Sequence, residues 1–353
     1  MDQTKANLDR LGGPFNTLAQ SGTAPIEKNG PEFKLCGKGI ERHSLEHRIP
    51  KRKYITRIIS MELCKIAKEN NEPEWEKRYR NSYYCLDRIQ TYNQKAYSKY
   101  CKNRCCLVCS SIRKAKYINR FLPTISTWKE PYFVTLTCKA KKRIDLKTQI
   151  KEMKKVMELI LSRLNKRHSR NKGPKPMGIK ALESNFNPIK QTYNPHFHLI
   201  VPSKQVAMEF ILEWQDSMGD KLTDPRAQDI RPIKKTIRDL RETIKYGAKI
   251  FTDPDMIKKK EFRKKPPKIY ASALHEIYKA LDGSNLLTSF GFKQEIKEGE
   301  KVEPIFIVDI EEWIFDSGLT DWVNVDTGQI MTKYRPNAEL EYLMNQRMDT
   351  ISL

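Results

Sequence analysis

Two histidines separated by one residue are the first feature of the chain that suggests metal chemistry. In His196-Phe197-His198 both imidazoles would share one face of a strand, because alternate side chains of a strand point to the same side. Glu183 lies in the middle of the preceding β-rich stretch, where a carboxylate among apolar neighbours needs a partner. If the two stretches pair, the three side chains can bind one divalent cation and leave positions open on it. Two incidental histidines and a solvent-facing glutamate are the alternative.

A second group of reactive side chains lies on a helix predicted over residues 236–250. Glu242, Tyr246 and Lys249 are spaced i, i+4 and i+7, which places them on one helical face. A phenol, with a pKa of about 10, is a poor nucleophile at neutral pH, but a nearby cation favours the phenolate and a metal-polarised phosphodiester needs only a modest attacker. An ordinary pairing of surface charges is the alternative interpretation.

Five of the eight cysteines fall within a short segment of the chain: Cys85, Cys101, Cys105, Cys106 and Cys109. In a reducing compartment such clustering indicates metal binding more often than disulfides. The two-residue gap between Cys106 and Cys109 lets two thiolates bind one tetrahedral zinc ion, and Cys101 and Cys85 can complete the four ligands. Cys105 is then a spare thiol. Buried apolar cysteines without a metal remain the alternative.

The charge of the chain indicates a polyanionic partner. The 353 residues carry a formal charge of +23, yet the segment 294–353 holds 5 basic and 13 acidic residues, which leaves +31 on residues 1–293. Lysine and arginine that neutralise phosphates release condensed counterions, so nucleic acid is the leading candidate. The sequence shows neither an apolar run of membrane-spanning length nor an N-terminal signal peptide, and a cytoplasmic location with no membrane partner is expected.

Hydrophobic periodicity predicts the elements that must position these groups. Strands are predicted at 132–138, 178–186, 196–201 and 229–233, and helices at 52–68, 110–122, 145–166, 203–216, 236–250 and 268–281. This order favours an α+β fold, with a mostly antiparallel central sheet on which helices pack, preceded by a helical zinc-binding region. The predicted divisions are a flexible arm (1–48), a helical and cysteine-rich zinc- and DNA-binding region (49–128), a domain built on the central sheet (129–283) and an acidic C-terminal region (284–353).

Three segments of the chain resemble the motifs of the HUH endonucleases in order and rough spacing. They are FVTLT (133–137), PHFHLIV (195–201) and KYGAK (245–249). The chain is most similar to the rolling-circle plasmid replication initiators that carry a cysteine-rich segment ahead of the first motif. That segment is present as Cys101, Arg104, Cys106 and Cys109, with Leu107 in place of the usual proline. The resemblance spans residues 85–293 and implies that residues 129–283 are the nuclease domain.

The resemblance implies a role for each matching residue. The catalytic Mg²⁺ or Mn²⁺ would be bound by Glu183, His196 and His198. The catalytic residues would be the nucleophile Tyr246, the following Lys249 and Glu242, a carboxylate that activates water for a second cleavage. A single tyrosine in the motif is typical of plasmid initiators.

The expected function is therefore a replication initiator that nicks plasmid origin DNA through a 5′-phosphotyrosine intermediate. Its DNA would be single-stranded or extruded at the nick site, and a host helicase or polymerase is a conceivable partner. The residues expected to contact the DNA backbone are Arg113, Lys114, Lys116, Arg163, Lys166 and Arg167. The alternatives are a single-tyrosine transposase or relaxase of a mobile element, and a zinc-containing DNA-binding regulator without enzymatic activity.

Overall fold

The structure of the chain is a computed structural model. It describes residues 49–92, 95–234, 270–292 and 310–345, together with three short strands at 33–35, 40–41 and 305–307. The predicted catalytic residues Glu242, Tyr246 and Lys249, and most of the predicted arm, lie outside the described residues.

The described elements alternate between helices and strands. The helices are α1 (Ile49–Glu69), α2 (Pro73–Tyr83), α3 (Leu107–Ser126), α4 (Leu146–Ser169), α5 (Lys204–Met218), α6 (Ala271–Ala280) and α7 (Ala338–Asn345). The strands are β1 (Phe33–Leu35), β2 (Ile40–Glu41), β3 (Arg88–Tyr92), β4 (Lys95–Tyr97), β5 (Tyr132–Thr137), β6 (Gly178–Asn187), β7 (Thr192–Val201), β8 (Asp229–Pro232), β9 (Leu287–Phe290), β10 (Ile305–Ile307), β11 (Glu311–Asp316) and β12 (Asp321–Asn324).

A five-stranded sheet in the order β8-β5-β7-β6-β9 forms the centre of the fold, and each neighbouring pair is antiparallel. Alternation along β7 sends Phe197 and Leu199 into the largest apolar core. The histidines His196 and His198 therefore point to the opposite side, which we call the histidine face. The central strand thus carries core residues on one face and polar ligand groups on the other.

Helices α4, α5 and α6 cover the core side of this sheet. The apolar repeat of α4 is buried there, including Met153, Met157 and Ile160. Helix α5 begins where the Ser203 hydroxyl accepts a hydrogen bond from the Val206 amide, the usual role of an N-cap serine. On the histidine face, Phe121 and Ile125 of α3 pack with residues of the sheet.

The hairpin between β6 and β7 is tighter than the sequence predicts. The predicted turn covers residues 187–195, whereas β7 already begins at Thr192. The Asn187 side chain closes the turn by accepting hydrogen bonds from the amides of Ile189 (3.0 Å) and Lys190 (3.1 Å). Pro195 is tolerated inside β7 because β5 pairs with β7 only up to His196, so the missing N–H costs no ladder bond on that side.

A second five-stranded sheet, in the order β12-β11-β3-β4-β2, packs over the cysteine-rich segment. Trp313, Phe315 and Trp322 share one buried cluster with Cys85 and Cys106. The Trp322 indole donates a hydrogen bond to the Leu86 carbonyl at 2.7 Å. The C-terminal strands therefore form part of the same core as the cysteines.

Strand pairing crosses the predicted divisions of the chain. Strand β11, from the predicted acidic C-terminal region, pairs with β3 of the predicted zinc region. Strand β9, from the same C-terminal region, pairs with β6 of the predicted nuclease domain. The boundary at 284 follows the end of the helix predicted over 268–281, whereas the pairing of distant strands leaves no signal in the local sequence.

The predicted fold class is confirmed. The structure combines helices with antiparallel sheets, and a helical region with clustered cysteines precedes the central sheet. Among the described residues, no helix has both the length and the apolar character needed to cross a bilayer.

A buried lysine joins α1 to the end of α2. Lys53 is 0% exposed and its ammonium group donates to the carbonyls of Tyr83 (2.8 Å) and Cys85 (2.6 Å) and pairs with Asp87. Burial lowers the pKa of Lys53, and these partners compensate for part of its desolvation. The contact fixes the backbone at the first cysteine of the cluster.

We expect Lys53→Met to lower the free energy of unfolding by about 2–4 kcal/mol, because two buried carbonyls lose the Lys53 donor and Asp87 keeps only Arg57 of its two cationic partners. The measurement is urea unfolding followed by tryptophan fluorescence. Lys65→Met on the same helix is the matched control, since Lys65 is half exposed and pairs with Glu62 at 2.8 Å. That control should change stability by less than about 0.5 kcal/mol. Equal losses for both variants would contradict the prediction.

Candidate metal centres

The pairing of β6 with β7 brings the first predicted ligand group together. Glu183 lies directly opposite His196 in the register, and Ala181 opposite His198. The Nε2 atoms of both histidines lie 3.9 Å from Oε2 of Glu183. Ligand atoms about 2.1 Å from an octahedral cation are separated by roughly 3.0 Å when adjacent and 4.2 Å when opposite. The three side chains, called the histidine–glutamate group below, therefore have the spacing of a metal site.

Hydrogen bonds orient both imidazole rings toward Glu183. Nδ1 of His196 lies 3.0 Å from the Asn194 carbonyl, and Nδ1 of His198 lies 3.1 Å from the Thr135 hydroxyl. A carbonyl oxygen can only accept, so Nδ1 of His196 carries the hydrogen and Nε2 keeps its lone pair. Such partners on the second ring nitrogen are the usual way in which proteins orient metal-binding histidines.

The histidine–glutamate group is buried on one side and accessible on the other. His196 is 4% exposed, and the side chains of Glu183 and His198 are 10% and 21% exposed. A divalent cation between the three side chains would place positive charge beside the largely buried carboxylate of Glu183. The partial exposure of His198 leaves room for a further ligand on the cation.

The four predicted zinc ligands converge in the second candidate metal centre. The sulfur of Cys109 lies 3.6 Å from those of Cys85 and Cys101. Four thiolates at about 2.3 Å from a tetrahedral zinc ion are separated by roughly 3.8 Å, so this spacing fits zinc. Cys106 belongs to the same group and caps α3, where its sulfur accepts from the Cys109 amide at 3.4 Å.

Close contact between the thiols raises the pKa values of some of them and lowers those of others. Hydrogen bonds from Cys106, Cys109 and Cys85 lower the pKa of Cys101. The hydrogen bond to Cys101 is also the main reason why the pKa values of Cys85 and Cys106 are raised. Without a cation, only part of the cluster can ionise, whereas a divalent cation stabilises the thiolate form of all four.

The fifth clustered cysteine lies elsewhere. Cys105 packs in a separate apolar cluster and its sulfur lies 3.1 Å from the Ser82 hydroxyl. Burial raises the pKa of its thiol to about 12. The side chains of the neighbouring residues Cys105 and Cys106 therefore lie in different clusters, and Cys105 is outside the four-cysteine group.

The basic residues predicted to contact DNA lie on two helices on opposite sides of the central sheet. Those on α3 share the side of the histidine face and those on α4 lie behind the core: Arg113, Lys114 and Lys116 on α3, and Arg163, Lys166 and Arg167 on α4. Arg163 pairs with Glu213 at 3.3 Å, and Arg167 pairs with Glu209 at 3.1 Å. Arg163 and Arg167 of α4 therefore have acidic partners within the protein.

Three residues near the histidine–glutamate group were missed by the sequence reasoning. Thr135 holds His198, Phe133 stacks on the same ring at a centroid distance of 4.9 Å, and Arg231 lies over Phe133. The alternation of side chains along 133–137 places Phe133 and Thr135 on one face of the strand. Their position beside His198 follows from the pairing of β5 with β7, which the local pattern does not specify.

Comparison with known proteins finds a similarity to a replication protein. Protein rep of Staphylococcus aureus is 29% identical over 174 residues, which is 44% of this chain and 72% of that protein. No protein-family model matches the chain, and no solved structure matches it. The chain is thus similar to a Rep-type protein.

We expect purified chain to contain about one zinc ion, because the four-cysteine group can form a closed tetrahedral site. Cys106→Ser should lose that zinc in elemental analysis and unfold at lower temperature. Cys105→Ser is the matched control, one residue away and buried, and it should keep its zinc. Loss of zinc from both variants alike would show that the cluster is not divided as the structure indicates.

We also expect Thr135→Val to weaken Mn²⁺ binding at the histidine–glutamate group by roughly tenfold to a hundredfold, since His198 loses the partner that orients its ring. Calorimetric titration with Mn²⁺ measures the change. Thr137→Val, two residues along the same strand face and opposite His196, is the control, because His196 uses the Asn194 carbonyl instead. An unchanged affinity in Thr135→Val would remove Thr135 from this role.

Proposed function

We propose that the chain is a replication initiator that nicks a plasmid double-strand origin and starts rolling-circle DNA replication. The observation that carries this proposal is the convergence of Glu183, His196 and His198 on adjacent strands, with both Nε2 atoms facing one carboxylate oxygen. The similarity to Protein rep over 44% of the chain supports a replication initiator in general terms. The excess of basic residues over residues 1–293 fits a DNA substrate.

In this proposal Tyr246 is the nucleophile. Its phenolate oxygen attacks the scissile phosphorus, a new P–O bond joins the tyrosine to the 5′-phosphate, and the bond to the 3′ oxygen breaks. The departing oxygen takes a proton and becomes the 3′-OH that a polymerase extends. Lys249, one turn further along the predicted helix, favours the phenolate form of Tyr246.

The protein contributes the fixed geometry of the histidine–glutamate group to this reaction. A bound Mg²⁺ or Mn²⁺ supplies Lewis-acid stabilisation of charge on the phosphate oxygens. Two imidazoles and one carboxylate suit Mn²⁺ better than Mg²⁺, which prefers oxygen ligands. Thr135 and the Asn194 carbonyl keep the rings in position before DNA arrives.

Glu242 has a separate role in the proposal. After one round of copying, Tyr246 is already joined to DNA, so a second nucleophile must cut the regenerated origin. A carboxylate one helical turn before the tyrosine can deprotonate a water molecule near the same phosphate. The alternative is that Glu242 pairs with a neighbouring basic residue and only steadies the helix, an effect of a few tenths of a kcal/mol.

The remaining parts of the chain serve DNA binding in this proposal. The zinc group is structural, and it holds the start of α3 so that the basic residues of that helix face the DNA backbone. Phosphate contacts of this kind raise affinity without choosing a sequence. The helicase or polymerase of the host would act on the strand that the nick releases.

We expect the wild-type chain to relax the supercoiled DNA that carries its own gene and flanking sequence, in the presence of Mn²⁺, and to form a protein–DNA adduct that survives denaturant. Tyr246→Phe should abolish the adduct but keep DNA binding, because only the nucleophilic hydroxyl is removed. Tyr278→Phe is the control, since Tyr278 is buried in α6 and its hydroxyl is remote from solvent. His196→Ala should lose cleavage while retaining most DNA affinity.

Retardation of the DNA without nicking by the wild-type chain would instead favour a DNA-binding regulator. An adduct that survives in Tyr246→Phe would move the nucleophile to another residue.

A further inference from the structure

An arginine of the edge strand β8 lies on the histidine face beside the histidine–glutamate group. Arg231 is opposite Phe133 in the register, and its guanidinium carbon lies 4.7 Å from the centre of the Phe133 ring. The His198 imidazole is also stacked on that ring, at a centroid distance of 4.9 Å and with an angle of 29° between the planes. Phe133 therefore lies in contact with both a predicted metal ligand and a guanidinium group.

The charge of Arg231 is available to an anion. Its side chain is 61% exposed, and the carboxylate of Asp229 approaches its Nε only to 4.0 Å. An exposed pair at this distance contributes little free energy and does not cancel the charge. Stacking on the aromatic ring restricts the guanidinium plane, so less side-chain entropy is lost when it binds a ligand.

The position of Arg231 matches a strand of DNA that crosses the histidine face. The two ring contacts at 4.7 Å and 4.9 Å keep the Arg231 guanidinium within at most about 10 Å of the His198 ring, which is close to the Debye length at physiological salt. A phosphate bound at the histidine–glutamate group would bring neighbouring phosphates of the same strand within reach of Arg231. Lys116 and Arg120 on α3 are exposed on the same side of the sheet.

We propose that Arg231 binds a phosphate of single-stranded DNA that flanks the phosphate at the histidine–glutamate group. This inference rests on the proposed function, since it names a substrate contact of the same site. The competing role is internal: Arg231 would steady Phe133 and, through it, the His198 ring. The two roles differ in whether Arg231 acts on DNA or on the metal ligands.

The test compares Arg231→Ala with Arg88→Ala in binding a fluorescein-labelled oligothymidylate of about 20 nucleotides. Arg88 is a close match, because it lies on strand β3 of the second sheet, is 58% exposed and approaches Glu312 at 3.8 Å. We expect Arg231→Ala to reduce the slope of log affinity against log salt concentration by about 0.7, the value for one single-strand phosphate contact. Arg88→Ala should leave the slope unchanged. Equal slopes in wild type and Arg231→Ala would overturn the proposal.

Titration with Mn²⁺ separates the two roles of Arg231. A DNA contact leaves the Mn²⁺ affinity of Arg231→Ala equal to that of wild type, whereas a fall of tenfold or more would show that Arg231 steadies the ligands, and the proposal would fail. Arg231→Lys should keep the salt slope of wild type, because the charge is retained.

In the nicking assay, Arg231→Ala should raise KM without lowering kcat, because the contact is made in both the ground state and the transition state. A lower kcat at unchanged KM would contradict this role. If the wild-type chain does not nick DNA, the proposed function fails, while the oligonucleotide comparison still decides whether Arg231 contacts a phosphate.

Discussion

The register between β6 and β7 is the constraint on which the candidate metal centre depends. A slip of one residue would turn every side chain of a strand to the opposite face, so Glu183 would leave the histidines and enter the core. Two features hold the register: the Asn187 turn, and the burial of Leu182 and Phe197 against the helices on the other face. The apolar core on one face of the sheet thus helps to specify the position of the polar ligands on the other face.

The cysteine group supports the same face from a distance. Cys106 begins α3, and the far end of that helix packs through Phe121 and Ile125 beside the sheet residues Phe133 and Ile200. A cluster that holds the start of α3 therefore also limits where its basic surface can lie. The second sheet encloses this cluster through Trp313 and Trp322, so strands from the C-terminal region contribute to the position of a helix near the metal centre.

Local sequence patterns predicted the candidate ligands and the long helix α4, but they did not predict the tertiary contacts between distant segments. The spacing of Cys106 and Cys109 and the alternation around His196 are local, and the structure brings the corresponding side chains together. The long apolar repeat of α4 likewise predicted a helix that forms at 146–169. The pairing of β3 with β11 joins segments more than two hundred residues apart, and short, half-polar strands carry little periodic signal. The partner of His198, Thr135, depends on a register that one sequence does not reveal.

The two sides of the central sheet also divide the basic residues by what they can do. On α4, Arg163 and Arg167 pair with acidic residues of α5, so part of their charge is used within the protein. On the histidine face, Arg231 stacks on Phe133 and has only a distant carboxylate, so its charge is directed outward. The total charge of +23 therefore overstates the attraction of the α4 surface for an anion. It also does not show that the charge of Arg231 is concentrated on the histidine face. Of these three arginines, Arg231 is the least compensated, and it lies on the face that also carries the histidine–glutamate group, so a polyanion bound by Arg231 would lie beside the candidate metal centre.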